Sequence, residues 1–405
     1  MNKTALLRIL FISLLCNVTA IDSWGQTLTT LHYFDRSHGE GRDSNAALIK
    51  GTDGNFYGTT EYGGASHNCL DVGCGTVFKI SRKGTLTILH SFSGPDGLYP
   101  YASLVQGKDR NFYGTTFGGG PYNNCFGVTC GTVFKITPAG KLTTLHNFCK
   151  RSGCPDGFQP LGALVQAGDG SLYGTTAGGG SGASCNLGCG TIFKITPAGA
   201  LTVLHSFDND DGANPSAALV LAHDRNFYGT TEYGGANNAG TVFKISAKGA
   251  LTTLYSFCSQ SDCSDGYLPL AALLQAKNGY LYGTTLIGGV SGDGTVFKIS
   301  SRGVLTTLHS FDYNDGAALY AGLLQSRDGG LYGTTQAGGA QGDGTLFKIS
   351  PAGTFTTLHS FQGTDGIYPF GGLVQGAGRN FYGTTGYGGG QGSDGTVFRL
   401  TVARK

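Results

Sequence analysis

Short runs rich in Val, Leu, Thr, Phe and Tyr, cut by Gly, Asp and Pro, follow one another from Leu28 to Leu400. None carries a helical period, and their length and β-branched or aromatic content are those of strands. From Ala102 one unit reads Ala-Ser-Leu-Val-Gln, a Gly-Lys-Asp-Arg turn and Asn-Phe-Tyr-Gly-Thr-Thr. A glycine-rich loop leads to Gly131-Thr-Val-Phe-Lys-Ile, a Thr-Pro-Ala-Gly turn and Lys141-Leu-Thr-Thr-Leu-His-Asn-Phe148. These four segments are predicted strands A to D. Asp-Gly turns (Asp53-Gly54, Asp169-Gly170, Asp328-Gly329) join A to B, and turns ending in Gly84, Gly140, Gly199 or Gly249 join C to D. Both are hairpin chemistry.

The unit recurs. Its Tyr-Gly-Thr-Thr core begins at Tyr57, Tyr113, Tyr173, Tyr228, Tyr282, Tyr332 and Tyr382, at spacings of 50 to 60 residues. Seven four-stranded antiparallel repeats predict an all-β chain, a seven-bladed β-propeller. The chain opens on a lone D-type strand, Leu28 to Phe34, and closes on a C-type strand, Gly395 to Leu400. The N-terminal strand is therefore expected to complete the last blade and close the ring. An open solenoid would carry polar capping repeats at its ends instead. The repeated aromatics are predicted to form the inter-blade core. The Tyr-Gly-Thr-Thr glycines are predicted to admit a neighbouring blade.

The N-terminus reads as an export signal. Lys3 and Arg8 precede a largely apolar run from Ile9 to Val18, and Val18-Thr19-Ala20 fits the small-residue cleavage rule. The expected organisation is a signal peptide over 1–20, a short leader over 21–26, a propeller over 27–400 with 27–35 as the outer strand of the last blade, and a tail over 401–405. The apolar run is too short to span a bilayer. A lipidated Cys16 is disfavoured by the bulky Leu15 before it.

Ten cysteines follow that cut, in five close pairs: Cys69 and Cys74, Cys125 and Cys130, Cys149 and Cys154, Cys185 and Cys189, Cys258 and Cys263. On an exported chain this reads as disulfides. The spacing and the separate loops argue against zinc. Charged residues are 13% of the chain and the net charge is +2. Seven of the basic residues are one repeated C-strand position (Lys79 to Arg399). That fits a solvated strand face and not a nucleic-acid stripe.

The residue pattern resembles the Gloeo/Verruco (GloVer) tandem-repeat family. The resemblance rests on Asn-Phe-Tyr-Gly-Thr-Thr, a Gly-Gly loop, Gly-Thr-Val-Phe-Lys-Ile and Leu-Thr-Thr-Leu-His-Ser-Phe, and it covers residues 27 to 400. It implies an exported bacterial choice-of-anchor repeat protein, in a family whose members include some with a C-terminal sorting anchor. This chain ends at Ala403-Arg404-Lys405 directly after its last strand, so no such anchor is expected. The family offers no catalytic residues to carry over.

Strand order puts the A–B and C–D turns on one face of the disc. The B–C and D–A loops, with all five cysteine pairs, lie on the other. Variable, stapled loops on a rigid scaffold are where binding resides. That rim carries Tyr62, His67, Tyr99, Tyr101, Tyr122, Tyr233, Tyr267 and Tyr368 as candidates to stack on a sugar. It also carries the Asp-Gly carboxylates Asp96, Asp156, Asp211, Asp265, Asp315 and Asp365, with Glu40 in the remaining loop. A carboxylate ring could hold calcium, but repetition blade by blade points to turn caps. Six D-strand histidines, with Tyr255 in the other blade, sit too far out to converge on one ion. Gln106, Gln166, Gln275, Gln325 and Gln375, with Lys50 and Leu221 as exceptions, are candidate channel residues whose direction the sequence leaves open. The departures from the repeat are Arg42, His38, His67, Lys50, Glu61-Tyr62 and Glu232-Tyr233. They form no triad, dyad or metal motif. The expected function is a glycan- or protein-binding module, monomeric and secreted, with no cofactor or metal. A polysaccharide lyase or glycoside hydrolase with a site at the axial mouth is the first alternative. A structural extracellular scaffold is the second.

Overall fold

In blade 1 the strands Ile49–Lys50, Phe56–Thr60, Thr76–Ile80 and Leu86–Ser91 pair in chain order, all antiparallel. The same arrangement recurs to give seven four-stranded sheets among the described residues, the blades of a β-propeller. The computed structural model describes residues 25–403 except 67, 68, 70, 71, 123, 124, 126–129, 183 and 391–393. The expected signal peptide and its cleavage site, Cys16 and His67 lie outside the described residues.

The ring closes as the unmatched ends require. Gln26–Tyr33 pairs antiparallel with Thr396–Val402, placing Leu28 opposite Leu400 and completing blade 7. Every C–D pair carries one irregularity at the same place. In blade 1 Val77 faces His90 and Phe78 faces Ile88, so Leu89 is left over as a bulge. The carbonyl freed at Leu89 points to the next blade. A Cβ added to Gly140 there would lie 2.5 Å from the Leu89 oxygen, and Gly140 has φ +89°. Glycine at that turn is thus required twice, by conformation and by contact.

The blades are joined by side chains on two layers. The D-strand Phe of each blade meets the C-strand Phe of the next edge-on, as Phe92 meets Phe134 at 5.3 Å and Phe34 meets Phe78 at 5.3 Å. Nearer the axis Tyr57 stacks obliquely on Phe112 at 4.0 Å. The first Thr of each Tyr-Gly-Thr-Thr reaches across as well: Thr59 Oγ1 donates to the Ala102 carbonyl of the next blade at 3.2 Å. The second Thr stays within its blade, with Thr60 Oγ1 2.8 Å from Thr76 Oγ1.

Two expectations change, and the direction of the strand A glutamines, left open by the sequence, is set. Gly58 makes room for its own blade: an added Cβ would meet Phe78 and Leu48, not a neighbour. The predicted A strand from Ala102 to Gln106 pairs only over Val105–Gln106. Its first residues leave the ladder because their carbonyls face the hydroxyls of the preceding blade. The glutamines turn away from the channel. Gln106 Oε1 accepts the Thr52 N–H of the preceding blade at 2.9 Å, and Gln166, Gln275, Gln325 and Gln375 make the same bond. Each is a staple between adjacent A–B turns.

Candidate functional site at the axial mouth

All five cysteine pairs are disulfide-bonded, and all lie in the B–C and D–A loops. They point to an extracytoplasmic location. Two of them abut, with Cys125 Sγ 3.8 Å from Cys154 Sγ. Cys125, Cys130 and Cys149 are close enough to share an ion, but bonded sulfurs are not thiolate ligands.

On the outer rim of this face the repeated acids and histidines prove to be one motif. Asp96 Oδ1 accepts the Ser93 N–H at 2.9 Å, capping the loop, while Oδ2 lies 2.8 Å from His90 Nε2. His146–Asp156, His205–Asp211, His309–Asp315 and His359–Asp365 repeat the contact at 2.7 to 2.9 Å. His32 makes it to Glu40 at 2.8 Å, and the Tyr255 hydroxyl donates to Asp265 at 2.7 Å. Burial alone would raise the Asp96 pKa, but the His90 and Ser93 bonds outweigh it and hold the carboxyl below its ordinary value. These carboxylates are already engaged, blade by blade.

The inner edge of the same face differs. After each D–A loop one residue takes the left-handed conformation: Asp43, Tyr99, Gln159, Asn214, Leu268, Ala318 and Tyr368, with φ of 52° to 58°. None is glycine, so each position carries roughly 1 kcal/mol of strain. Each carbonyl accepts the N–H of the residue after Thr-Thr, as Asp43 accepts Glu61 at 3.0 Å and Asn214 accepts Glu232 at 3.1 Å. That bond bends the chain inward. Two residues on, Asn45, Tyr101, Leu161, Ser216, Leu270, Tyr320 and Phe370, one from each blade, surround the axis. With Glu232 they line a cup of about 250 Å³. Beneath them the channel is lined largely by alanine, glycine and serine, including Ala47, Ser103, Ala163 and Gly322.

The cup has a polar sector at the seam of blades 7 and 1. Asn45 Nδ2 donates to Glu61 Oε2 at 2.7 Å. Arg42 lies over the Tyr62 ring, 5.2 Å from its centre, and Tyr62 meets Tyr99 edge-on at 5.1 Å. The Tyr387 hydroxyl donates to Asp43 Oδ2 at 3.1 Å. Asp43 is 2% exposed, and burial pushes its carboxyl up to about 6 against the pull of Arg42 and Tyr387. Asp43 Oδ1 and Asn45 Oδ1 are buried with no hydrogen-bond partner among the described residues. Burial likewise pushes Glu61 and Glu232 above the usual carboxylate range, and Tyr101 up to about 12 with Glu61 assisting. The rest of the ring is mixed: Tyr101, Leu161, Leu270, Tyr320 and Phe370 are apolar or aromatic, and Ser216 with Glu232 stands between Leu161 and Leu270.

Of the tyrosines singled out in the sequence, Tyr101 lines the cup, Tyr62 and Tyr99 pack beside it, and Tyr368 meets Phe370 at its edge. Tyr233 and Tyr267 pack into inter-blade clusters, and Tyr122 packs against the cluster that holds Cys125 and Cys130. The departures Arg42, Glu61, Tyr62 and Glu232 gather at or beside the mouth. Lys50 lies on the opposite face, and His38 pairs with Asp35 at 2.6 Å. Sequence reasoning missed Asp43, Asn45, Ser216, Tyr320 and Phe370. For the last four a signal was present: the residue before each small-residue pair of strand A takes five identities in seven copies, while the pair itself is always Ala, Gly or Ser.

Seven radially arranged four-stranded blades with a variable axial cup define a β-propeller repeat protein. The chain belongs to the Gloeobacter/Verrucomicrobia repeat family, whose model matches residues 17–153, 68–284 and 269–405. No curated protein matches it. Among solved structures it is similar to the extracellular domain of a candidate hybrid two component system from B. thetaiotaomicron, at 12% identity and TM-score 0.55, covering 93% of this chain and 41% of that one. The extracellular domain of a candidate one component system from the same organism gives 12% identity and TM-score 0.53, covering 90% and 41%. A candidate 6-phosphogluconolactonase from Bacteroides uniformis gives 15% identity and TM-score 0.51, covering 79% and 85%. The chain spans about two fifths of the length of the two extracellular-domain chains. At these identities the likeness is one of fold. Among the described residues no helix is long and apolar enough to cross a membrane.

Proposed function

We propose that this protein is an exported binding module that takes a small glycan, or the tip of one, in the axial cup. One observation carries the reading: the positions that vary from repeat to repeat converge on this cup, while the positions that repeat build the disc. A copied residue serves the copied fold. A ring of five residue types in seven places, held by strained backbone two residues before each, serves something that is not sevenfold.

The chemistry favours a sugar. Tyr101, Tyr320 and Phe370 offer aromatic surface, and Asn45, Ser216, Glu61 and Glu232 offer hydrogen-bonding groups. Aromatic rings set among hydrogen-bonding groups suit a sugar, which offers apolar C–H faces and polar hydroxyls. The five disulfides and the N-terminal signal support export. A hydrolase or lyase is the second reading, favoured by Glu61 and Glu232, whose burial keeps them protonated more readily than ordinary carboxylates.

A glycan-array screen of the mature protein, followed by calorimetry with the best ligand, tests the proposal. Binding that weakens at least tenfold in Tyr101→Ala and in Tyr320→Ala supports it. Binding that survives both substitutions places the ligand elsewhere. Release of shortened or unsaturated sugar would establish the enzyme reading instead.

A further inference from the structure

The near-neutral net charge conceals a separation. Of the described residues, eighteen Asp and Glu lie on the loop face and five at the turns, against four and nineteen for Lys and Arg. The formal balance is therefore −14 on the loop face and +14 on the turn face. The repeat creates this by topology. The C-strand lysine sits one residue before the C–D turn, and the A–B and C–D turns add Arg82, Lys83, Lys108, Arg110 and their counterparts. Along the sequence these charges are spaced apart, so no basic run shows.

We propose that the turn face is an electrostatic docking surface for an anionic lipid bilayer, leaving the axial cup turned outward. The shape of the face argues for a plane and against a strand. Six of the seven A–B turns close through one pattern, as Gly107 N–H to Asn111 O and Arg110 N–H to Gly107 O, and the seventh keeps the first of these bonds, Gly376 N–H to Asn380 O. The C–D turns share another, as Thr137 N–H to Lys141 O. Copies of two short turns, all of one length, make a level field whose tips Lys83, Arg110, Lys141, Lys248 and Lys277 are exposed. A linear polyanion is followed by a groove or stripe, whereas a spread field fits a charged sheet of headgroups. A second copy of the chain is the poorer fit. The acidic face is uneven, with B–C loops from nine to fifteen residues, and seven of its carboxylates are held by histidines.

Co-sedimentation of the mature protein with vesicles tests this, comparing phosphatidylcholine alone with phosphatidylcholine containing phosphatidylglycerol. Binding is expected to the anionic vesicles only, and to fall steeply as salt is raised. Combining Arg110→Gln, Lys141→Gln, Lys248→Gln and Lys277→Gln should weaken it by about fivefold per residue, several hundredfold together. The control Asp210→Asn with Asp262→Asn, on the opposite face, should leave it unchanged, and thermal melts establish that each variant is folded. Equal binding to neutral vesicles overturns the proposal, as does a turn-face variant that binds like the parent. Retention on DNA or heparin without vesicle binding, or salt-sensitive self-association in its place, overturns it equally.

Discussion

The Thr384 hydroxyl donates to the Ala46 carbonyl at 3.2 Å, joining residues 338 positions apart. It is the same bond that Thr59 makes to Ala102 between consecutive blades, so the seam is built like every other joint. The two chain ends are therefore held by the ordinary inter-blade contacts plus one strand pairing.

Removing residues 21 to 35 takes away that pairing and the buried Phe34 side chain, 2% exposed. Loss of one such aromatic core residue costs about 3–5 kcal/mol before the strand is counted. The thermal midpoint should drop by roughly 10 °C or more. A midpoint equal to that of the intact chain would reject closure by the N-terminal strand.

Two glycines of similar backbone separate conformation from contact. Gly170 has φ +84° and nothing within 4 Å of an added Cβ, whereas Gly140 has φ +89° and a carbonyl at 2.5 Å. Gly170→Ala should lower stability by about 1 kcal/mol. Gly140→Ala should lower it by at least twice as much, read as the shift in urea midpoint at constant slope.

Asp43 gives a pH signature. Its carboxyl is raised to about 6 in the fold, so the native state holds the proton more tightly than the unfolded chain. Its stabilising contribution is complete below pH 4 and is lost as pH rises through 6. Asp43→Asn should therefore raise stability at pH 7.5 by on the order of 2 kcal/mol and change it little at pH 4. Equal effects at the two pH values would refute the assignment.

The rim carboxylates have the opposite sign. Asp96 and Asp211 titrate below their ordinary value in the fold, held there by His90 and His205 and by loop N–H groups. Their contribution is present above about pH 4 and is lost as pH falls below it. The stability difference between the parent and Asp96→Asn should shrink between roughly pH 5 and pH 3. A difference that stays constant over that range would show that the carboxylate is not the stabilising form.

Much of this was legible because each repeated position meets the same surroundings seven times. The Phe92–Phe134 contact, the closing strand and the cysteine pairs all follow from local pattern and chain order. Gln106 was not legible, because its partner Thr52 belongs to another blade and depends on how blades tilt. The His90–Asp96 pair was read as two separate features, since a bond between strand and loop has no signature in either alone. The cup was hidden for a third reason. Asn45, Ser216 and Phe370 share no chemistry, and only their common place in the repeat relates them.

The bulge at Leu89 and its six counterparts has a consequence for solubility. Each outer strand is a free sheet edge, and a propeller exposes seven of them. A straight, fully regular edge would offer a template on which a foreign strand could add. The left-over leucine breaks the spacing of backbone donors and acceptors midway along each edge. The irregularity that locks one blade to the next therefore also denies those edges to other chains, protecting a protein built almost wholly of strands from aggregation.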